Sequence, residues 1–290
     1  MKKELIFLGT GAAELIPDPF CDCQVCKYAR LNPEERRFRS AFLYDEHTCI
    51  DFGPDIFAEA ERCDVDFSVL TDILITHTHG DHFSHENFNV VSCNIIKPKD
   101  LFTVHMSQEG YDWLMKYCKA VKDSVGNDMI HASTNGYFDI VPHKVYESFR
   151  IGDKEIFPVY GFHSGCGKNE KSFNYRITEN GRTLLYALDT GVYTQETVEA
   201  LSGTAVDILI MDATFGSKRM DETCTHLDAY TFISQLETLA ANGIITSDTR
   251  IYASHINHYN TWHHNEYQKY FDENSPFNVT VARDGMQITY

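Results

Sequence analysis

The 290-residue sequence has no apolar run long enough to cross a membrane, since no stretch approaches the roughly 18 residues that a span needs. It also has no linker rich in proline, glycine or serine, and no internal repeat. Its first residues contain only a short apolar run broken by Glu4, which predicts a first strand rather than a signal peptide. These absences predict one cytoplasmic domain over residues 1–290.

Basic residues are scarce, with 25 Lys and Arg against 42 Asp and Glu, giving a formal net charge of −17. No Lys/Arg-rich run interrupts this field, so the phosphate backbone of a long nucleic acid would be repelled. We expect neither long nucleic acids nor membranes as partners, whereas a homodimer remains open. A small phosphorylated substrate can still bind, because metal ions can dominate the local field of an acidic protein.

Short apolar runs rich in Ile, Leu, Val and Tyr recur along the chain, and each is followed by polar or turn residues. Such runs predict buried strands, and helical patterns lie between them at 107–121, 228–241 and 262–271. Asn-Gly in 179–182 and Asp-Gly in 283–286 predict hairpins. The pattern favours an α/β sandwich with helices outside two mixed sheets, and weak periodicity predicts an insertion or loop around 117–148.

Nine cysteines are present, and three of them crowd into Cys21-x-Cys23-x-x-Cys26. An odd count in a chain of this length does not suggest a disulfide framework, and the clustered thiols favour a metal. Three reduced cysteines in a loop are the alternative interpretation. The remaining six cysteines are scattered, mostly beside apolar residues, which is typical of reduced cysteines that fill space.

The segment His77-Thr-His79-Gly-Asp81-His82 packs four ligand-type side chains into six residues directly after a predicted strand. In extended chain His77 and His79 point to the same side and can chelate one ion. Gly80 lets the chain turn, so that Asp81 and His82 can face a second ion. Imidazole and carboxylate ligands suit Zn²⁺, Mn²⁺ or Fe²⁺.

This segment resembles the signature of the metallo-β-lactamase superfamily, whose fold is a four-layer αββα sandwich. Further motifs of the superfamily match in chain order at Asp51, His163, Asp189 and His255. The resemblance implies that Asp51 orients the segment 77–82, here called the metal loop, from behind. It also implies that Asp189 bridges two ions, Mn²⁺ or Zn²⁺. It implies His77, His79 and His163 around the first ion, and Asp81, His82 and His255 around the second.

Two departures from other branches narrow the implied chemistry. Asp189 is not the cysteine of true class B β-lactamases, and His79 is not the glutamate of diiron flavoprotein oxidoreductases. The chemistry that the resemblance still implies is hydrolysis by two metal ions. The chain also departs from the usual pattern at His85, where the family has glycine, and at the loop 164–172, which is longer than the family's.

Within the superfamily the chain resembles the PhnP-like phosphodiesterase branch, which carries a cysteine cluster after its first strand. There the fourth ligand of a structural zinc is a histidine three residues after the last catalytic histidine, and His258 has that position here. The segment Asp212-Ala-Thr-Phe215 followed by His226 resembles the one that places a histidine near the scissile phosphate. We therefore expect His226 to contact or protonate the substrate, the alternative being a residue that only starts a helix.

The resemblance implies a metal-dependent phosphodiesterase acting on a small cyclic phosphate similar to phosphoribosyl 1,2-cyclic phosphate, with Asp51, Asp81 and His226 as the catalytic side chains. The alternatives are a tRNase Z-like nuclease and a glyoxalase II-like thioesterase. A non-catalytic PqqB-like cofactor-assembly or metal-binding protein is the alternative from another class. His85, His105, His131, His143, His263 and His264 lack matched partners, and we expect them to be structural or surface residues.

Overall fold

The computed structural model describes residues 4–92, 102–120, 133, 136–221 and 223–289. Its helices are α1 (Gln24–Leu31), α2 (Ile56–Arg62), α3 (His85–Ser92), α4 (Gln108–Ala120), α5 (Gln195–Leu201), α6 (Ala229–Ala241) and α7 (His264–Asn274). No helix among the described residues has the length and apolar character that crossing a membrane requires.

The described strands form two seven-stranded sheets. The first has the order β14-β1-β2-β3-β4-β5-β6, from β1 (Glu4–Gly9), β2 (Ala41–Asp45), β3 (Thr48–Ile50), β4 (Asp72–Leu74), β5 (Phe102–Ser107), β6 (Phe138–His143) and β14 (Gln287–Thr289). The second has the order β13-β12-β11-β10-β9-β8-β7, from β7 (Phe149–Ile151), β8 (Lys154–Ser164), β9 (Lys171–Glu179), β10 (Arg182–Ala187), β11 (Ile208–Asp212), β12 (Arg250–Ser254) and β13 (Val279–Val281).

Alternate residues of the central strands face different apolar cores, which gives the fold its four layers. In β10, Leu184 and Tyr186 pack between the two sheets, while Leu185 and Ala187 pack against the helices outside the second sheet. The first sheet repeats the pattern in β1, where Leu5 faces the other sheet and neighbouring Ile6 faces the outer helices. Both faces of the central strands are covered, so strands such as β10 and β11 are nearly continuous apolar runs. The predicted αββα sandwich is confirmed.

The two predicted hairpins have different outcomes. Arg182 pairs with Glu179 across an Asn180-Gly181 turn in which both residues have positive φ, so β9 and β10 form the expected hairpin. The prediction for 283–286 is wrong, because this turn leads from β13 in the second sheet to β14 in the first. The Asp284 carboxylate accepts hydrogen bonds from Thr10 Oγ1 at 2.6 Å and Phe38 N–H at 2.7 Å, which hold the turn across the sheet edges.

The predicted helices are present with small shifts of their ends. Asp228 is the N-cap of α6, where its side chain accepts hydrogen bonds from the backbone of Tyr230 and Thr231. In the segment 117–148, residues 117–120 belong to α4 and 138–143 form β6. Residues 121–132, 134 and 135 lie outside the described part of the chain, so the insertion stays a prediction, as does the single domain over residues 1–290.

Candidate active site

Three of the predicted site residues lie just past the ends of strands, and each of them has a strained backbone. Asp51 follows β3, Asp189 follows β10 and His255 follows β12, with φ of 65°, 53° and 62° respectively. Residues other than glycine rarely adopt this left-handed conformation, and such residues concentrate at functional sites. The turns aim all three side chains into one region between the sheets' ends.

The first predicted ligand group is formed by His77, His79 and His163. The Nδ1 atom of His79 lies 3.0 Å from His77 Nε2 and 3.1 Å from His163 Nε2. Three nitrogens bound to one tetrahedral zinc at about 2.0–2.1 Å lie about 3.3 Å apart. The spacing of these ring nitrogens therefore fits a single shared ion.

The second predicted group is formed by Asp81, His82 and His255. The Nε2 atom of His82 lies 3.1 Å from Asp81 Oδ2, and His255 Nε2 lies 3.8 Å from the same oxygen. On its far side, the ring of His82 is 2.7 Å from Asp51 Oδ2 through Nδ1. The other Asp51 oxygen accepts from Thr76 N–H and hydroxyl, both at 2.9 Å. Asp51 thus orients His82 and the metal loop from behind.

Asp189 lies between the two groups and directs one oxygen to each. Its Oδ1 is 3.8 Å from His77 Nε2 and 3.7 Å from His163 Nε2. Its Oδ2 is 2.9 Å from His82 Nε2 and 3.2 Å from His255 Nε2. This is the arrangement of a carboxylate that bridges two ions.

Buried polar atoms without hydrogen-bond partners show what the site is suited to hold. His82 Nε2, Asp189 Oδ2 and His255 Nε2 are each shielded from solvent and lack a hydrogen bond of acceptable geometry. Unpaired buried polar atoms are costly, and here two imidazole nitrogens lie 2.9 and 3.2 Å from one carboxylate oxygen, which is the spacing of ligands around a shared ion. The donor set of imidazoles and carboxylates therefore fits two divalent ions.

The electrostatics of the cluster also favour cations. Burial lowers the pKa of His77 well below its ordinary value, which keeps its ring neutral and available as a ligand. Burial opposes protonation of His82 too, but Asp189, Asp81 and Asp51 outweigh it and raise the His82 pKa well above its ordinary value. Protons and metal ions compete for this group of ligands, so metal binding must depend on pH.

His226 lies beside the cluster and is held by a buried carboxylate. Its Nδ1 is 2.8 Å from Asp212 Oδ2, and its Nε2 is 4.0 Å from Asp189 Oδ1. Burial lowers the pKa of His226, but Asp212 outweighs this effect and raises it to about 9. Asp212 also accepts hydrogen bonds from Thr214 N–H and hydroxyl, and that hydroxyl is 2.8 Å from His255 Nδ1.

The cysteine cluster is assembled at a second place. Ligand atoms of Cys21, Cys23, Cys26 and His258 all lie within 4.8 Å of one another, and Cys23 Sγ is 3.7 Å from His258 Nδ1. Zinc bound to sulfur and nitrogen at about 2.3 and 2.0 Å gives similar separations. Burial raises the pKa of Cys23, but hydrogen bonds from Cys26 N–H and other neighbours lower it overall to about 7, which favours the thiolate.

Two buried carboxylates near the site were not predicted as site residues. Asp212 ends β11 and holds His226, and its position at the end of an apolar run was the available signal. Glu170 contacts Thr78 in the metal loop, and nothing in the local sequence indicates that contact. Among the histidines expected to be structural, His105 contacts Asp72 and His143 at 2.9 Å each, and His131 lies outside the described residues.

A family model described as a beta-lactamase superfamily domain matches residues 48–256, which include Asp51, His77 to His82, His163, Asp189 and His255. The chain belongs to the metallo-β-lactamase superfamily. A search of curated protein sequences finds no significant match for this superfamily member.

Solved structures of the same superfamily fold superpose over nearly the whole chain. A diphosphatase from the PhnP family has a TM-score of 0.73 at 22% identity, covering 100% of this chain and 98% of that one. Zn²⁺-bound PqqB from Methylobacterium extorquens has a TM-score of 0.73 at 17% identity, with 98% and 99% covered. The short form of human tRNase Z has a TM-score of 0.61 at 18% identity, with 98% of each chain covered. At these identities the likeness establishes the fold.

Proposed function

We propose that this metallo-β-lactamase-fold protein is a metal-dependent hydrolase, specifically a phosphodiesterase that opens a small cyclic phosphate. The observation that carries the proposal is His226, held by Asp212 at 2.8 Å and placed 4.0 Å from the Asp189 oxygen between the two ligand groups. An imidazole that lies beside the metal ligands without being one of them suits a reaction whose leaving group needs a proton.

Two divalent ions held by the two ligand groups would activate water and polarise the phosphate. The chain's own residues supply the proton that the leaving group needs. Water adds to phosphorus and gives up a proton to solvent, the ring P–O bond breaks, and protonated His226 delivers a proton to the departing alkoxide oxygen. His226 then takes up a proton from solvent before the next turnover. The Asp212 carboxylate supports the protonated imidazole and fixes its direction, as its bond to Nδ1 leaves Nε2 facing Asp189.

The rival functions predict different substrates. A tRNase Z-like nuclease would need to bind a polyanion, which the net charge of −17 opposes. A glyoxalase II-like thioesterase expels a thiolate, which needs no proton from His226. A PqqB-like non-catalytic role could use the ligand groups for metal binding but would not require His226 to be held beside them. Because a PhnP-family diphosphatase shares the fold, a phosphoanhydride is a second candidate substrate.

The test is a substrate panel with the Mn²⁺-loaded chain. We expect turnover of bis-p-nitrophenyl phosphate and faster turnover of a ribose cyclic phosphate, with no cleavage of a pre-tRNA or a glutathione thioester. Faster turnover of a nucleoside diphosphate than of the cyclic phosphate would replace the cyclic-phosphate proposal by the phosphoanhydride one. No turnover of any phosphate ester or anhydride with bound metal would contradict the enzymatic proposal.

A further inference from the structure

Thr78 separates the two histidines that begin the metal loop, so its position fixes how both rings are presented. In extended chain its side chain points away from the side shared by His77 and His79. Thr78 is buried, with 2% of its surface exposed, and it therefore needs partners for its hydroxyl and its N–H.

One carboxylate supplies both partners. Glu170, in the loop between β8 and β9, accepts a hydrogen bond from Thr78 N–H through Oε1 at 3.0 Å and from the Thr78 hydroxyl through Oε2 at 2.5 Å. Its Oε2 also accepts from Gly167 N–H at 2.7 Å, and Cys166 N–H donates to the Thr78 hydroxyl at 3.0 Å. Glu170 itself is only 2% exposed.

The surroundings of Glu170 leave room for this carboxylate and for little else. A Cβ added at Gly165 would lie 2.2 Å from Glu170 Cδ, and one at Gly167 would lie 2.9 Å from Glu170 Oε2. One added at Gly110, in the first turn of α4, would lie 2.9 Å from Glu170 Oε1 and 3.1 Å from Thr78 Cγ2. Three glycines on two separate segments therefore allow the close approach that the carboxylate requires.

We propose that Glu170 is a positioning residue of the metal centre, which holds the His77-Thr78-His79 backbone through a two-point contact with Thr78 and so sets the geometry of the first ligand group. Hydrogen bonds to a carboxylate are stronger than those between neutral groups, and the two carboxylate oxygens can accept along two directions. The loop 164–172 thereby takes part in metal binding although none of its side chains is a predicted ligand. The inference rests on the proposed metal centre.

The test is Mn²⁺ titration of the whole chain, with free Mn²⁺ followed by electron paramagnetic resonance. Mn²⁺ prefers oxygen and imidazole ligands, so the thiolate cluster does not contribute. In Glu170→Gln the amide group can accept at only one of the two points, and we expect Mn²⁺ affinity to fall about 10–100-fold, the usual cost of losing a partner behind a ligand. The control is Glu155→Gln in β8, whose carboxylate accepts from Ser148 and lies elsewhere.

The same titration separates the possible failures. If the wild-type chain binds no Mn²⁺, the proposed metal centre fails; if Glu170→Gln binds as tightly as wild type, the positioning role fails, even where its thermal midpoint has dropped.

A second pair of variants keeps the test decisive should Glu170→Gln not fold. Thr78→Ser keeps the hydroxyl and should bind like wild type, whereas Thr78→Val should bind more weakly. Thr78→Val and Glu170→Gln interrupt the same contact. Their effects on Mn²⁺ affinity should therefore be less than additive when both are present in one chain. Equal affinities of the Ser and Val variants would overturn the proposal.

Discussion

Asp189 is the residue at which the two ligand groups meet, and its substitution tests the bridge. Alanine would be strained at φ 53°, so Asp189→Asn, which tolerates this backbone, is the cleaner change. The amide offers one neutral oxygen, and we expect turnover to fall at least about 100-fold while the fold survives. Steady-state kinetics at saturating Mn²⁺ measure this, and near-normal turnover would refute the bridging role.

His226 tests leaving-group chemistry at the residue scale. His226→Ala should lower turnover of a cyclic alkyl phosphate by about 10²–10⁴-fold, the range for general acid catalysis. Bis-p-nitrophenyl phosphate should lose much less, because nitrophenolate leaves without a proton. His47→Ala, at a half-exposed histidine of the β2–β3 turn, is the control. Equal losses on both substrates would show that His226 only grips the phosphate, and no loss on either would leave it a structural residue.

At the scale of elements, the cysteine cluster brings α1 and the loop before it into contact with the segment that carries His255 and His258. Cys23 is the N-cap of α1, and His258 lies three residues after His255. Cys23→Ser should release one zinc per chain and lower the thermal midpoint, because structural zinc binding contributes folding free energy. Metal analysis and thermal unfolding measure both effects.

The matched control is Cys63→Ser at the C-terminus of α2, which should keep all bound zinc. Mn²⁺ binding at the histidine site should survive in both variants. An unchanged zinc content in Cys23→Ser would remove the structural site.

At the scale of the whole molecule, stability should depend on pH through Glu59 of α2. Burial, with Asp284 and Asp55 adding to it, raises the pKa of Glu59 from 4.5 to about 9. The folded state therefore keeps a proton that the unfolded state loses above pH 4.5, and this contribution to stability is lost as pH rises toward 9. Glu59→Gln cannot ionise, so it should unfold less readily than wild type at pH 8, by about 1–3 kcal/mol.

Urea unfolding at pH 5 and pH 8 measures this difference, which should be much smaller at pH 5. Glu61→Gln, an exposed position of the same helix, is the control and should show no such dependence. A Glu59→Gln difference that is the same at both pH values would contradict the buried protonated carboxyl.

The sequence by itself determined the local part of the site and the layers of the fold. His77, His79, Asp81 and His82 lie within six residues, so chain geometry alone brings them together after a strand. Short apolar runs with turns between them likewise encode strands buried on both faces, and the Asn180-Gly181 hairpin follows from residues that tolerate positive φ.

Only the tertiary structure decided which distant residues meet. Glu170 contacts Thr78 across 92 positions, and His163 reaches His79 across 84. The turn at 283–286 joins two sheets because Thr10 and Phe38 bind Asp284, although its sequence is that of a hairpin. Local patterns specify a strand or a turn, but the partner of a buried carboxylate is set by how the sheets pack, where each buried polar group must find one.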